Sequence, residues 1–310
     1  MLRRPTRSKI GGLTIPTKMK KLAARSFVIL WASAVVVGWG PLAATFSMAW
    51  RNDQYTHILL IFPVSVALIY LEWPALQSLR APNLPVGVFL FGLSILVAAL
   101  SMLWSALPPD VRASLGMLAV VLWWIAAFVL CFGTRVARAL IFPLCFLFWL
   151  VPFPNAMLNA VVTFLQRGSA LAADLLFVAA GVPVAKDGFL LTIPGLTIEV
   201  AQECSSIRSS LMLLVTTMVL AQLWLRSNWR KALVIALAVP FSVAKNAVRI
   251  FTIAMLGTRV DTGYLTGRLH HQGGIVFFLF SLVGIFVLLW VLRRTEMHIS
   301  FTTALRPTQS

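Results

Sequence analysis

Eight apolar stretches, each about as long as a bilayer is thick, constrain this chain more than any other feature. Crossing the hydrocarbon core takes about 20 predominantly apolar residues in a helix. The candidate stretches are residues 27–50, 57–75, 84–104, 113–133, 137–153, 207–225, 231–257 and 273–292. Only 11% of the 310 residues are charged, compared with roughly 25% in soluble proteins. The sequence therefore predicts an all-α polytopic membrane protein with about eight transmembrane helices, and it excludes a soluble enzyme.

The distribution of Lys and Arg predicts that both termini are cytoplasmic. Residues 1–26 carry eight of the 26 Lys and Arg residues, and nine more lie in loops and the tail on the same predicted side. An excess of Lys and Arg marks the cytoplasmic face of a membrane protein. We expect a basic cytoplasmic tail over residues 1–26, a transmembrane domain over 27–294 and a short cytoplasmic tail over 295–310. The first apolar stretch is long enough to span the membrane and has no convincing small-residue cleavage site, so we expect it to be retained.

The segment 155–203 interrupts this pattern of spans and short loops. Its first part is apolar but contains Gln166, Arg167 and Asp174, which indicates an amphipathic helix in the outer interface or a broken pair of helices. The sequence GFLLTIPGLTIEV follows, with two runs rich in β-branched residues on either side of a Pro-Gly turn. This pattern predicts a small extracytoplasmic β-hairpin directly before the sixth helix.

Neither the cysteines nor the net charge indicates a metal, a cofactor or a nucleic acid. Cys131, Cys145 and Cys204 are odd in number and have no spacing typical of metal ligands. The formal net charge of +17 comes from residues that do not form one patch with interleaved aromatic side chains. We therefore predict a lipid-embedded protein with no metal site, no cofactor and no nucleic-acid partner.

Cys204 differs from the other two cysteines in its polar surroundings, QECSSIRSS. We predict that it lies at or just before a helix N-terminus, where unpaired backbone N–H groups favour the nucleophilic thiolate. Arg208, four residues later, lies on the same face of the predicted helix and adds positive charge. The alternative is that Cys204 is a small packing residue and that Arg208 extends its charged end to the interface.

Two further polar groups lie near the outer ends of the last two spans. In AKNAVRIF, the side chains of Lys245, Asn246 and Arg249 share one face of an otherwise apolar helix. In RLHHQGG, His270 and His271 are candidate general bases. The alternatives are cations that reach the interface and loop histidines that are simply solvated.

Taken together, these groups indicate acyl-transfer chemistry. A thiolate nucleophile, a histidine that transfers protons and a cation that stabilises an oxyanion form a sufficient set. Cys204, Arg249 and one of His270 and His271 are the candidates for these roles. A serine nucleophile is the weaker alternative, because Ser205 and its neighbours have no G-x-S-x-G context.

The same residues resemble motifs of the exosortase/archaeosortase family, integral-membrane transpeptidases that are analogous to sortases but unrelated in fold. The family's C-S-G-I-R-S motif appears here as CSSIRS, its N-x-x-R motif as NAVR, and its His followed four residues later by Gly as His270 and Gly274. The Gly spacing favours His270 over His271. Near the N-terminus, DQYTHILLIFP resembles the family's D-x-Y-S-H-G motif. Ser206, Thr56 and Ile58 are departures from the family pattern.

The resemblance implies a role for each site residue. Cys204 would be the nucleophile, Arg249 would orient the carbonyl or stabilise its oxyanion, and His270 would transfer protons. The supporting residues would be Arg208, Asn246, His271 and Ser205.

The resemblance also implies a function and a location. A secreted protein with a C-terminal sorting signal (a short motif, a transmembrane helix and basic residues) would be cleaved by Cys204 and passed to a cell-surface acceptor. The expected location is the bacterial inner membrane, with the site facing the periplasm, and the exopolysaccharide machinery is a further expected partner. Hydrolysis and transpeptidation share one thioester, so the sequence leaves both open. The alternative from another class is a non-catalytic transporter or scaffold for exopolysaccharide export.

Overall fold

The computed structural model describes residues 17–76, 81–200, 207–266 and 274–304. The chain forms two compact units, Met1–Asn155 and Ala156–Ser310. In the described residues, seven helices are long and apolar enough to cross a membrane, or eight if one bent pair counts as a span. The predicted all-α polytopic membrane protein is thereby confirmed.

The first predicted span is a bent pair of helices, α1 (Thr17–Val37) and α2 (Trp39–Arg51). The direction of the chain changes by 74° between them. Pro41 has no N–H to bond the carbonyl of Val37, so the helix ladder is interrupted at this point. Gly38 fills the break, and a Cβ on it would lie 2.4 Å from a methyl carbon of Val120. The bend therefore follows from a proline and from close contact between helices.

Helix α5 is the central element of the first unit. A 3₁₀ turn (Asp53–Tyr55) leads into α3 (Ile58–Leu76), which is followed by α4 (Leu84–Leu103) and α5 (Pro109–Phe132). In the most apolar stretch of each helix, 72% of the α5 residues are buried within the protein, compared with 22% of the α4 residues. Ser94 of α4 donates a hydrogen bond of 2.8 Å to the carbonyl oxygen of Ala119. Helix α5 therefore packs inside the unit, and α4 leaves most of its surface for lipid.

The fifth predicted stretch, 137–153, is not one helix. It consists of α6 (Thr134–Ala139), α7 (Ile141–Phe146) and a 3₁₀ turn (Leu147–Leu150). Pro143 cannot donate to the carbonyl of Ala139, which is where α6 ends. The prediction of a continuous span is therefore wrong here.

The stretch nevertheless runs back along α5. It leaves α5 at Gly133, and the hydroxyl of Ser114 donates to the carbonyl oxygen of Pro152 over 2.7 Å. The backbone N–H of Asn155 then donates to Oδ2 of Asp110 over 2.7 Å, at the N-terminal end of α5. Short helices thus return the chain along the length of α5, about 36 Å at 1.5 Å per residue.

The second unit is built around α8 (Asn155–Ala179), which is one continuous helix. The predicted alternative of a broken pair of helices is therefore wrong. Its length and composition are those of a span, although the sequence pattern also allowed a helix lying in the interface. The polar Gln166 is buried, and its side chain is bonded inside the unit.

The predicted hairpin is confirmed and is extended by one strand. Strands β1 (Ala185–Asp187), β2 (Leu190–Ile193) and β3 (Leu196–Glu199) form an antiparallel sheet in that order. Ile193 pairs with Leu196, so Pro194 and Gly195 form the two-residue turn. Gly195 has φ +84°, a conformation that glycine adopts without steric cost at this turn position. The buried side of the sheet packs on α8 and on a later helix of the same unit.

Three long helices complete the second unit: α9 (Ile207–Trp224), α10 (Asn228–Arg259) and, after the short α11 (Gly263–Thr266), α12 (Gly274–Ala304). The apolar side chains that pack α9, α10 and α12 together include Leu213, Ala238 and Ile285. Arg230 donates to the carbonyl oxygen of Leu292 over 2.6 Å, so the start of α10 is bonded to α12.

We predict that two left-handed glycines differ sharply in their tolerance of a side chain. Gly133 has φ +88°, and a Cβ on it would lie 1.7 Å from the carbonyl oxygen of Ala81. Gly181 has φ +72° with no atom within 4 Å of that position. Gly181→Ala should cost only the strain of the positive φ, about 1–2 kcal/mol, whereas Gly133→Ala must also displace the backbone. Thermal unfolding in detergent should show a clearly larger fall in Tm for Gly133→Ala, and equal falls would contradict this packing.

Candidate active site

The structure describes three of the seven predicted site residues. Arg208 is the second residue of α9, and both Asn246 and Arg249 lie in the second half of α10. The other four, Cys204, Ser205, His270 and His271, lie outside the described residues. The site is therefore described through the elements on either side of the cysteine segment, residues 201–206.

A polar stripe runs along the second half of α10. Ser242, Lys245, Asn246 and Arg249 are spaced three and four residues apart, which places them along one side of the helix. Ser242 is 3% exposed, Lys245 6% and Asn246 1%, while Arg249 is half-buried. A charged side chain in the middle of a span costs about 3 kcal/mol on insertion scales. Such a stripe therefore needs polar partners within the protein.

The first turn of α9 supplies partners for this stripe. Nζ of Lys245 donates to the hydroxyl of Ser209, and the hydroxyl of Ser242 donates to that of Ser210. Both serines belong to the hydroxyl-rich run that follows Cys204 in the sequence. The helix turn directly after the cysteine segment is therefore bonded to the helix that carries Asn246 and Arg249.

The other side of the cysteine segment is also held. Nε2 of Gln166 on α8 donates to the carbonyl oxygen of Val200 over 3.0 Å, and the N–H of Val200 donates to the carbonyl oxygen of Phe189 over 2.9 Å. Gln166 is 5% exposed. Hydrogen bonds thus fix both flanks of the segment, Val200 before it and the first turn of α9 after it.

Sequence reasoning missed the roles of Gln166 and Lys245. Gln166 is visible in the sequence only as a polar interruption of an apolar helix, and its partner is a backbone carbonyl 34 residues away. For Lys245, the sequence predicts a position on the same face as Arg249 but no role in the site. Its position within a span is the signal that could identify this role, since an amino group in a span needs a partner within the protein.

The electrostatics of the two helices favour a negative charge between them. Helices α9 and α10 contain no Asp or Glu. Arg208 lies exposed in the first turn of α9, whereas Lys245 is buried and Arg249 half-buried in the second half of α10. Cations that are shielded from water, as the two on α10 are, stabilise an oxyanion more than they would in water. The arrangement can therefore support acyl-transfer chemistry beside the second half of α10.

The N-terminal motif DQYTH forms a separate polar cluster in the first unit. His57 is 3% exposed and lies edge-on to the ring of Trp149, with 6.3 Å between centroids. Tyr55 is buried in the turn just before it, and Asn52 caps that turn by accepting from the N–H of Gln54. The motif thus leads into α3 and has defined packing inside its own unit.

Comparison with known proteins identifies a family. Residues 49–287 match the family model described as Transmembrane exosortase (Exosortase_EpsH). The match covers more than half of the 310 residues and includes both polar clusters. Searches of the curated proteins and of the solved structures give no significant match.

We predict that α9 and α10 can be cross-linked through their serine pair. In a chain with Cys131→Ala, Cys145→Ala and Cys204→Ala, the double variant Ser210→Cys and Ser242→Cys should form a disulfide on mild oxidation. The two hydroxyls are hydrogen-bonded, so the Cβ atoms are near the separation that a disulfide requires.

The matched control pairs Ser242→Cys with Thr217→Cys, two turns further along α9 or about 10 Å away. Mass spectrometry should detect a disulfide in the first pair and not in the control. Efficient cross-linking of the control pair, or none in the first, would show that this helix register is wrong.

Proposed function

Because the chain belongs to the transmembrane exosortase family, we propose that it is a membrane-embedded cysteine transpeptidase. Its substrates are secreted proteins that end in a short motif, a transmembrane helix and basic residues. It cleaves this sorting signal at the periplasmic face of the inner membrane and transfers the protein to a cell-surface acceptor.

The observation that carries the proposal is the bonding of the α9 first turn to the α10 stripe. The first turn of α9, which follows the cysteine segment, is held against the helix that bears Arg249, through the Lys245–Ser209 and Ser242–Ser210 bonds. A nucleophile and a cation that act on the same carbonyl must be held at fixed positions relative to each other. Such positioning contributes several kcal/mol to catalysis. These two hydrogen bonds between α9 and α10 support the assignment of Cys204 and Arg249 to one site.

The Lys and Arg residues of the whole chain support the proposed sidedness, since 17 of the 26 lie on the predicted cytoplasmic side and eight of these are in residues 1–26. At the opposite end from the stripe, the α9–α10 connection and the end of α12 carry Arg226, Arg230, Lys231, Arg293 and Arg294. An excess of Lys and Arg in short loops marks the cytoplasmic side. The stripe, the sheet and the start of α9 then belong to the periplasmic side.

In the first chemical step, the Cys204 thiolate attacks the carbonyl carbon of the scissile peptide bond. The C–N bond breaks, the departing amine takes a proton from the His270 imidazolium, and a thioester remains on Cys204. Arg249 donates hydrogen bonds to the carbonyl oxygen, which bears negative charge in the tetrahedral intermediate.

In the second step, an acceptor amine or hydroxyl attacks the thioester carbon. His270 takes the proton from the attacking group, the C–S bond breaks and the Cys204 thiolate is restored. Water as the attacking group gives hydrolysis by the same route, so the identity of the product distinguishes transfer from hydrolysis. Arg208, Asn246, Ser205 and His271 support these groups.

We predict that cleavage depends on the thiol of Cys204. In cells that co-express this protein with a secreted protein bearing such a C-terminal signal, wild type should remove the signal. Cys204→Ala should abolish removal, because no other group replaces the nucleophile, and Cys204→Ser should retain at most a trace because a hydroxyl is far harder to ionise. Immunoblots that resolve the two substrate lengths measure the result.

Cys145→Ala is the matched control, since Cys145 is a free cysteine of the first unit outside the proposed site. It should leave signal removal unchanged. Persistent removal by Cys204→Ala at normal expression would exclude the thiol mechanism.

A further inference from the structure

Asn246 has an unusual environment for a polar side chain in an apolar helix. It is 1% exposed, and within the described part of the chain neither Nδ2 nor Oδ1 has a hydrogen-bond partner. Among the described residues of the second unit, Asn246 alone has both polar side-chain atoms buried without a partner. Its amide therefore presents an NH2 group with two unused N–H donors and one unused acceptor oxygen.

The lack of partners is specific to this position on the stripe. Ser242, one turn before Asn246, is bonded to Ser210, and the adjacent Lys245 is bonded to Ser209. The first turn of α9 thus satisfies the residues around Asn246 but leaves its amide unsatisfied. A buried donor and acceptor without partners destabilise the fold, and an apolar side chain of similar size would not.

The chemistry of an amide limits what can satisfy both atoms together. A cation would bind only Oδ1, and an oxyanion would accept only from Nδ2. A residue in an extended polypeptide presents its own N–H and C=O on the same side, as in the hydrogen-bonded pairs of an antiparallel sheet. The amide of Asn246 can accept from that N–H and donate to that C=O.

We propose that Asn246 binds the main chain of the sorting signal, at one extended residue next to the scissile bond. This inference rests on the proposed function and adds a recognition element to it. Arg249, three residues later on the same side of α10, lies about 5–6 Å away at Cβ, while an extended chain rises about 3.3 Å per residue. The residue held by Asn246 is therefore one or two positions from the carbonyl that Arg249 contacts.

This contact recognises a backbone conformation and not a side chain. Most residues are accepted at the bound position, whereas proline is rejected because it has no N–H. The motif of the sorting signal would then be read by other groups, and Asn246 would hold the chain extended for attack by Cys204.

The test measures peptide binding in the purified full-length Cys204→Ala protein, so that binding is observed without cleavage. The probe is a synthetic peptide spanning the motif and membrane helix of the co-expressed secreted protein, N-methylated at one residue at a time. With Asn246 present, methylation at one position near the scissile bond should raise Kd about tenfold, as expected for loss of a hydrogen bond to a buried partner.

Adding Asn246→Leu should raise the Kd of the unmodified peptide by a similar factor and remove the sensitivity at that position. It should leave the Tm without peptide unchanged or raised, because a leucine has no amide to satisfy. Thr217→Val is the control, since Thr217 is fully buried in α9 and bonded to its own helix. This control should leave peptide binding unchanged.

Two binding results would overturn the proposal: methylation sensitivity that is unchanged in the Asn246→Leu protein, or no binding of the unmodified peptide. A clear fall in the Tm of the Asn246→Leu protein would also overturn it and would indicate a structural role for Asn246. Failure of the proposed function is observed separately, as signal removal that persists in Cys204→Ala. The peptide-binding result is independent of that outcome.

Discussion

The bonds between the first turn of α9 and the polar stripe of α10 are the interaction on which the rest of the second unit depends. Inside a membrane, no solvent satisfies a buried amino group or hydroxyl, so each must find its partner within the protein. Lys245 and Ser242 find theirs in Ser209 and Ser210. This requirement sets the register of α9 on α10, and it thereby fixes the first turn of α9, which follows the cysteine segment.

The sheet and α8 hold the other flank of that segment by a different kind of interaction. Apolar packing joins the buried face of the sheet to Phe177 of α8 and to Ala247 and Ile250 of α10. A single amide, that of Gln166, then fixes the carbonyl of Val200. The residues on either side of the cysteine segment are thus held, Val200 by α8 and the first turn of α9 by α10. Fixed flanks of this kind are consistent with the positioning of the nucleophile that the proposed mechanism needs.

Much of this arrangement could be predicted from the sequence because it is determined locally. Run length predicts the spans, and the Pro-Gly turn predicts the hairpin, but the short Ala185–Asp187 strand has no pattern of its own. The division of 137–153 into short helices depends on how the chain repacks around Pro143. The partners of Gln166 and Lys245 are both more than 30 residues away, so only the folded chain identifies them. The roles of Cys204 and His270 remain predictions from motif and chemistry.

The central claim is that Cys204 carries the substrate as a thioester, and hydroxylamine tests it most directly because it attacks thioesters and leaves amides intact. Membranes containing this protein and its substrate should be treated with hydroxylamine, and the new C-terminus of the processed protein identified by mass spectrometry. The account predicts a C-terminal hydroxamate that forms with wild type and is absent with Cys204→Ala. A hydroxamate that still forms with Cys204→Ala, or processing by wild type without any hydroxamate, would contradict it.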